Sequence, residues 1–382
     1  METWQQGYDL AMLKALAAPF KESFKPYCFG AFGLPKERDV ATALADKEIT
    51  WTRDNAGAIA AAAIFKSFQQ SSEQTDFCQR TITIKKGDLF IKHLAGSATG
   101  MHKLLSALIE KAGNRPLWLE IHEERKEAKS VALHLGFSKA ATKIAASSDI
   151  KSLYLLNDSP SSRLSSSFHP ADAVALAGLV QTFASADEVT KILSEVKAAQ
   201  LAWEQHYSSY NKRQSWTALA IKGFDKNDPS FIIKPAEMSK GWKAENPSRL
   251  KAPCDFTNLA AKVPSIVKLL DRIPGKKERV RLMKLRQGNG ELTRHADITD
   301  RNAGTADGMI CRLHIPLQTH SLCKFESWNL EGQHIQKHFP AGCLFYLDIR
   351  KPHAVRNDSP IDRIHLVVDV LANADVRRLL NG

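Results

Sequence analysis

KPHAVRNDSPIDRIHLVVDV, residues 351–370, holds two β-type runs around one turn. HAVRN (353–357) starts after Pro352, NDSPID supplies turn residues, and RIHLVVDV (363–370) is an apolar strand opened by Arg363. Working outward, SWTALAIKGF (215–224), RVRLMKL (279–285), MICRLHIPL (309–317), CKFESW (323–328) and CLFYLD (343–348) read the same way. Many short strands between Gly, Asp, Asn and Pro turns predict a mainly-β jelly-roll, a double-stranded β-helix, over residues 214–382.

The most reactive-looking residues precede those strands. RHADITDRNAG (294–304) places His295 and Asp297 two apart at a strand end, where side chains i and i+2 share a face. An imidazole and a carboxylate on one face can serve one metal ion or simply end a polar strand. A second histidine from a distant strand would complete a two-His, one-carboxylate triad with open positions, the donor set of non-haem iron oxygenases. His353 is the best third ligand, and Arg363, ten residues on, is placed to grip a carboxylate. A jelly-roll is expected to bring the Arg363 strand next to the one carrying His353. Asp300 and Asp307 are alternative carboxylates at loop spacing, and Arg350 and Arg356 are alternative cations. His314 reads equally as a core histidine on an amphipathic strand, while His320, His334, His338 and His365 read as surface or packing residues.

The stretch from about 279 to 380 resembles the aspartyl/asparaginyl β-hydroxylase and proline hydroxylase group of Fe(II)/2-oxoglutarate dioxygenases. QGNGELTRHAD, CRLHIPL and KPHAVRNDSPIDRIHLVVDV carry the likeness. The resemblance implies His295, Asp297 and His353 as iron ligands and Arg363 as the partner of the distal 2-oxoglutarate carboxylate. It also implies Arg312 and His314 as lining of that pocket. Fe(II), 2-oxoglutarate and O2 would be the cofactors, and hydroxylation of a substrate C–H bond the reaction. Asp297 follows the proline hydroxylase branch, since the β-hydroxylase branch often lacks that carboxylate. The segment between His295 and Arg312 is long for the group, so the loop facing the substrate is this chain's own.

The first 156 residues alternate differently. AIAAAAIFK (58–66), RTITIKKG (80–87) and DLFIKHLAG (88–96) are strands. SATGMHKLLSALIEKAG is a helix with Met101, Leu104, Leu105, Leu108 and Ile109 at helical spacing. PLWLEIHE (116–123), RKEAKSVALHLGF (125–137) and DIKSLYLL (149–156) add strand, helix and strand, which predicts an α/β domain. LFIKHLAGSATGMHKLLSALIEKA with PLWLEIHEERKEAKSVALHLGFSKA resembles a GNAT-type acyltransferase core. That likeness implies an acyl-CoA pyrophosphate at a helix N-terminus near Gly96 and Gly100, although the family's Gly-rich pattern is incomplete here. His122-Glu123-Glu124 reads as a polar strand end, with a metal edge or general base as the alternative.

NDSPSSRLSSSFHP (157–170) reads as a linker, and residues 186–213 as a helical connector, so 157–213 join the two domains. The chain has 382 residues and suits two domains. Its formal net charge of +12 favours anionic partners: nucleic acid, acidic cosubstrates or a phosphorylated cofactor. The densest basic stretch, GKKERVRLMKLRQ (275–287), reads as a solvated strand or a phosphate-binding face. No apolar run reaches membrane-spanning length. The first residues lack a basic leader, and six scattered cysteines show no C-x-x-C spacing, so a cytoplasmic location is expected. Acyl transfer by the first domain and non-catalytic nucleic-acid binding are the other two function classes.

Overall fold

The computed structural model describes residues 10–24, 37–77, 81–145, 149–156, 172, 176–180, 182–208, 210–297 and 302–381. The expected linker, 157–170, lies outside them. The chain divides into two compact units, Met1–Ser166 with Leu330–Gln333, and Ser167–Asn329 with His334–Gly382.

The first unit carries β1 (Ile49–Arg53), β2 (Ile59–Ser67), β3 (Ser72–Thr75), β4 (Thr81–Ile84), β5 (Leu89–Gly96), β6 (Leu117–His122), β7 (Ser138–Ile144) and β8 (Ile150–Leu156). Six of them form one sheet in the order β1-β2-β5-β6-β8-β7, while β3 and β4 pair separately. Only β5 and β6 of that sheet run parallel, from Leu89 beside Leu117 to Ile91 beside Leu119. A parallel pair needs a long crossover, and the helix Ala98–Ala112 supplies it. Ser97 caps the start of this helix and Gly113, at φ 59°, ends it. Its Met101, Leu104, Leu105 and Leu108 are buried against the sheet. This is an α/β arrangement, as the alternation of strand and helix patterns predicts.

The second unit is a β-sandwich. Its strands are β9 (Leu176–Val180), β10 (Glu204–Gln205), β11 (Trp216–Gly223), β12 (Asp255–Phe256), β13 (Lys277–Leu285), β14 (Gly290–His295), β15 (Ile310–Gln318), β16 (Cys323–Trp328), β17 (His334–Lys337), β18 (Leu344–Leu347), β19 (His353–Asn357) and β20 (Arg363–Leu371). The large sheet runs β10-β11-β13-β20-β15-β18-β9 with β12 on β11, and the small one β14-β19-β16-β17. Strand β20 is buried almost end to end because both of its faces are covered. Ile364, Leu366, Val368 and Val370 pack on a helical layer that includes Ala186–Ala198 and Pro264–Leu270. The alternate residues Arg363, His365, Val367 and Asp369 belong to the opposite, inter-sheet face.

Two expectations are corrected here. The helical run read over 186–213 ends at Ala198, and Gln200 takes a left-handed φ of 45° just beyond it. The helix packs on the second unit, as a connector packing on a domain was expected to do. A Ser185–Glu188 capping box starts it, and Val189, Ile192 and Val196 enter the core of the second unit. Each of these side chains contributes about 1.5–3 kcal/mol through burial. The second correction concerns β20 and β19, which are not sheet neighbours. Strand β20 pairs with β13 and β15, whereas β19 pairs with β14 and β16, so Arg363 and His353 meet across the sandwich.

Candidate metal centre

A bulge builds the centre. Along β14 and β19, Leu292 sits opposite Val355, and the next registered pair is His295 opposite His353. Strand β14 therefore spends three residues where β19 spends two. That extra residue lets Leu292 and His295 both line the inter-sheet cavity, which strict alternation forbids. Arg294 lies over the Trp328 ring at 4.1 Å. The Thr293 hydroxyl donates to the Tyr210 carbonyl at 3.2 Å and ties down the irregular backbone.

His295, Asp297 and His353 converge, with one ligand atom from each lying within 4.8 Å of the others. The Nδ1 of His295 lies 2.8 Å from the Thr293 carbonyl and that of His353 lies 2.9 Å from the Lys351 carbonyl. Each carbonyl accepts a hydrogen bond from Nδ1–H, which leaves Nε2 of each ring bare and able to serve as a ligand. Burial, then the neighbouring His353, holds the His295 pKa down at about 3. Burial likewise lowers that of His353. Both rings are thus neutral at neutral pH, the form that binds metal.

Burial alone would raise the Asp297 pKa. The Arg312 guanidinium, 2.5 Å from Oδ2, outweighs it and holds the carboxyl at about 2. Arg312 was expected in the cosubstrate pocket. It lines the cavity, and its bonds go to Asp297 and, at 2.6 and 3.0 Å, to the Asp369 carboxylate.

These residues border a cavity of about 450 Å³, with Arg363, His314 and Phe325 on its wall. Arg363 is buried, and neither its Nε nor its Nη1 has a hydrogen-bond partner. Its guanidinium carbon stands 5.4 Å from the centre of the Phe325 ring, and burial pushes its pKa down to about 10. An orphaned guanidinium beside a two-His, one-carboxylate set fits a metal bearing a dicarboxylate cosubstrate. His314 satisfies both of its readings. It borders the cavity with neither nitrogen bonded, and it stacks on Phe345 at 4.9 Å.

The alternatives fall elsewhere. Asp300 lies outside the described residues. Asp307 is exposed and pairs with Arg377, Arg350 pairs with Asp348 and Asp172, and Arg356 is exposed beside Asp358. His365 is a buried packing residue stacked on Phe325, and the His338 ring bonds the Cys323 carbonyl. The sequence reading missed Tyr210, which stacks on His295 at 4.4 Å, and Asp369, the hub of the buried arginines. An acid as the seventh residue of an otherwise apolar strand, on the face that begins with Arg363, was the available signal. The basic stretch 275–287 is not one exposed face either. Arg279 and Arg281 are buried on the cavity side of β13, and Val280 and Leu282 face the helical layer.

Residues 186–373 match the aspartyl/asparaginyl β-hydroxylase family model. The candidate metal centre and the cavity lie within those bounds. A prolyl-4-hydroxylase from Pseudomonas putida is similar at 13% identity over 52% of this chain and 92% of its own, with a TM-score of 0.31. A Trichoplax adhaerens prolyl hydroxylase, solved with a hypoxia inducible factor oxygen degradation domain peptide fragment, is 14% identical over 55% of this chain and 88% of its own, TM-score 0.31. A GNAT-family acetyltransferase from Streptococcus agalactiae is 12% identical over 41% of this chain and 99% of its own, TM-score 0.33. No curated protein matches the chain.

In the first unit, Gly96 and Gly100 meet a packing demand. A Cβ on Gly96 would lie 2.3 Å from the Ala60 carbonyl oxygen, and one on Gly100 would lie 2.8 Å from it. The Gly100 N–H is taken by the Ser97 hydroxyl at 3.1 Å. The triplet 122–124 is a polar strand end. Glu123 is fully buried and bonded to Lys129 at 2.7 Å and Lys139 at 2.8 Å. Burial opposes its ionisation, but the two lysines prevail and hold the carboxyl below its usual range. A depressed carboxylate pKa stabilises the fold above the unfolded value and loses that contribution as pH falls through the folded one. Glu123→Gln is therefore expected to cost about 1–3 kcal/mol at neutral pH, with the gap narrowing in acid. Thermal melts of both proteins across pH 7 to 3 check it.

No helix among the described residues is long and apolar enough to cross a membrane.

Proposed function

We propose that the second unit is an Fe(II)- and 2-oxoglutarate-dependent dioxygenase that hydroxylates a C–H bond of a substrate entering the same cavity. The observation carrying this reading is the convergence of His295, Asp297 and His353 beside the orphaned guanidinium of Arg363. The hydroxylase-family match over the same residues supports it. Iron(II) with 2-oxoglutarate and O2 supplies the oxidising chemistry, inserting one oxygen atom into the substrate and leaving succinate and CO2.

The chain's own tasks follow from its geometry. His295 and His353 offer neutral Nε2 atoms held in place by the carbonyls behind them. Arg312 keeps Asp297 ionised and oriented. Arg363 binds the far carboxylate of 2-oxoglutarate, which gives its buried charge a counter-charge. Phe325, His314 and Val367 wall the cavity and exclude water from the reacting centre.

Anaerobic titration of the full chain with Fe(II) and 2-oxoglutarate tests the reading. A metal-to-ligand charge-transfer band that needs both components is expected, followed by succinate release when O2 is admitted. Neither band nor succinate would overturn it.

A further inference from the structure

The two histidines of the candidate metal centre are unequally supported by their own sheet. His353 opens β19, which has β14 on one side and β16 on the other. His295 is the last residue of β14, the edge strand of the small sheet, and it follows directly on the bulge. A ligand serves a metal well when its ring is already aimed, and the groups behind and beside the ligand do that aiming.

The free edge of β14 is met by the chain that links β10 to β11. The Ser215 hydroxyl accepts from the Glu291 N–H at 2.9 Å and donates to the Glu291 carbonyl at 3.2 Å. The Tyr210 carbonyl accepts from the Thr293 N–H at 3.4 Å and from the Thr293 hydroxyl at 3.2 Å. These backbone contacts fall two residues apart, as the outward-facing groups of an edge strand do. Two residues further on, the Tyr210 ring stacks on His295, with centroids 4.4 Å apart and planes 23° from parallel. The link is itself held by buried Asn211, which donates to the His206 and Trp216 carbonyls at 3.1 and 2.9 Å. Asn211 also accepts from the Trp216 N–H at 3.0 Å.

We propose that Tyr210 is a positioning residue for His295, its ring holding the imidazole in the orientation that converges with Asp297 and His353. This rests on the metal-centre reading above. The Nδ1–H bond to the Thr293 carbonyl fixes one point of the imidazole and leaves it free to pivot about that bond. The Tyr210 ring on one face, and the His353 ring 4.2 Å away and tilted by 53°, limit the pivot. The Tyr210 hydroxyl makes no hydrogen bond among the described residues, so the support comes from the face of the ring.

The test compares the full chain with its Tyr210→Leu, Tyr210→Met, Tyr210→Phe and Tyr207→Leu variants. Each is titrated anaerobically with Fe(II) against a chromogenic chelator, without 2-oxoglutarate, and each is melted metal-free. Tyr210→Leu and Tyr210→Met should bind iron about tenfold more weakly, the low end of the loss on removing a group that supports a metal ligand. Tyr210→Phe keeps the stacked face and should stay within about twofold of wild type. Tyr207→Leu changes a ring that stacks on His206, not on a candidate ligand, and should also bind iron as wild type does. Wild-type iron affinity in Tyr210→Leu and Tyr210→Met would overturn the inference. So would equal weakening in Tyr207→Leu, a general effect of the loop, or in Tyr210→Phe, which would give the role to the hydroxyl. Leu and Met variants that fail to fold while Tyr210→Phe folds would assign the ring to packing and overturn it too. Failure of the metal-centre reading is seen separately, as a wild type that binds iron no more tightly than His353→Ala.

Discussion

His353→Ala is expected to abolish iron binding and all 2-oxoglutarate turnover while the chain stays folded. On the proposed reading its Nε2 is one of three ligand atoms, and the remaining pair, His295 and Asp297, would span only one edge of the ion. Changing a residue that merely supports a metal ligand costs about 10–100-fold in affinity or activity, so removing the ligand itself should exceed that. The fold tolerates the change because the ring is neutral in the metal-free chain, and its one hydrogen bond is to the Lys351 carbonyl. Metal analysis after desalting, succinate assays and a thermal melt check all three parts. Stoichiometric iron with succinate production in the variant would remove His353 from the centre.

Arg363→Met is expected to act in opposite directions on binding and stability. Loss of the partner for a buried carboxylate costs about 2–5 kcal/mol, or roughly 30- to 5,000-fold in 2-oxoglutarate affinity. Without cosubstrate the same guanidinium has two unbonded nitrogens. Its contact with Phe325 at 5.4 Å returns about 1–2 kcal/mol, less than the several kcal/mol that desolvating the ion costs. The metal-free variant should therefore melt no lower than wild type. Iron binding without 2-oxoglutarate should persist, since Arg363 is not a ligand. Calorimetry with 2-oxoglutarate and parallel melts read both effects. A lower melting temperature together with unchanged 2-oxoglutarate affinity would assign Arg363 to packing.

Much of this was legible in the residues themselves. The alternation and turn chemistry of 215–370 predicted the strands β11, β13, β15, β16, β18, β19 and β20 close to where they lie. Their number and the turns between them also predicted a jelly-roll. The strands β10, β12 and β17 escaped notice because they are short and carry little apolar signal. The helical run was drawn too long because Leu201 and Trp203 continue the apolar spacing beyond Ala198. They pack against the same core after the helix has ended.

The sequence by itself determined the chemistry on offer: two histidines, an aspartate and an arginine at spacings that suit a metal and a carboxylate. It also determined that strands would carry them. Tertiary structure decided how they meet. The β14 bulge turns His295 toward the cavity opposite His353, a choice that period-two alternation cannot make. Pairing of β20 with β13 and β15 then places Arg363 across the sandwich from the histidines. It also gathers Arg279, Arg281 and Arg312 around Asp369, residues up to 90 positions apart in the chain. Charge balance in a buried cavity depends on which side chains share it, and only the packed sheets fix that membership.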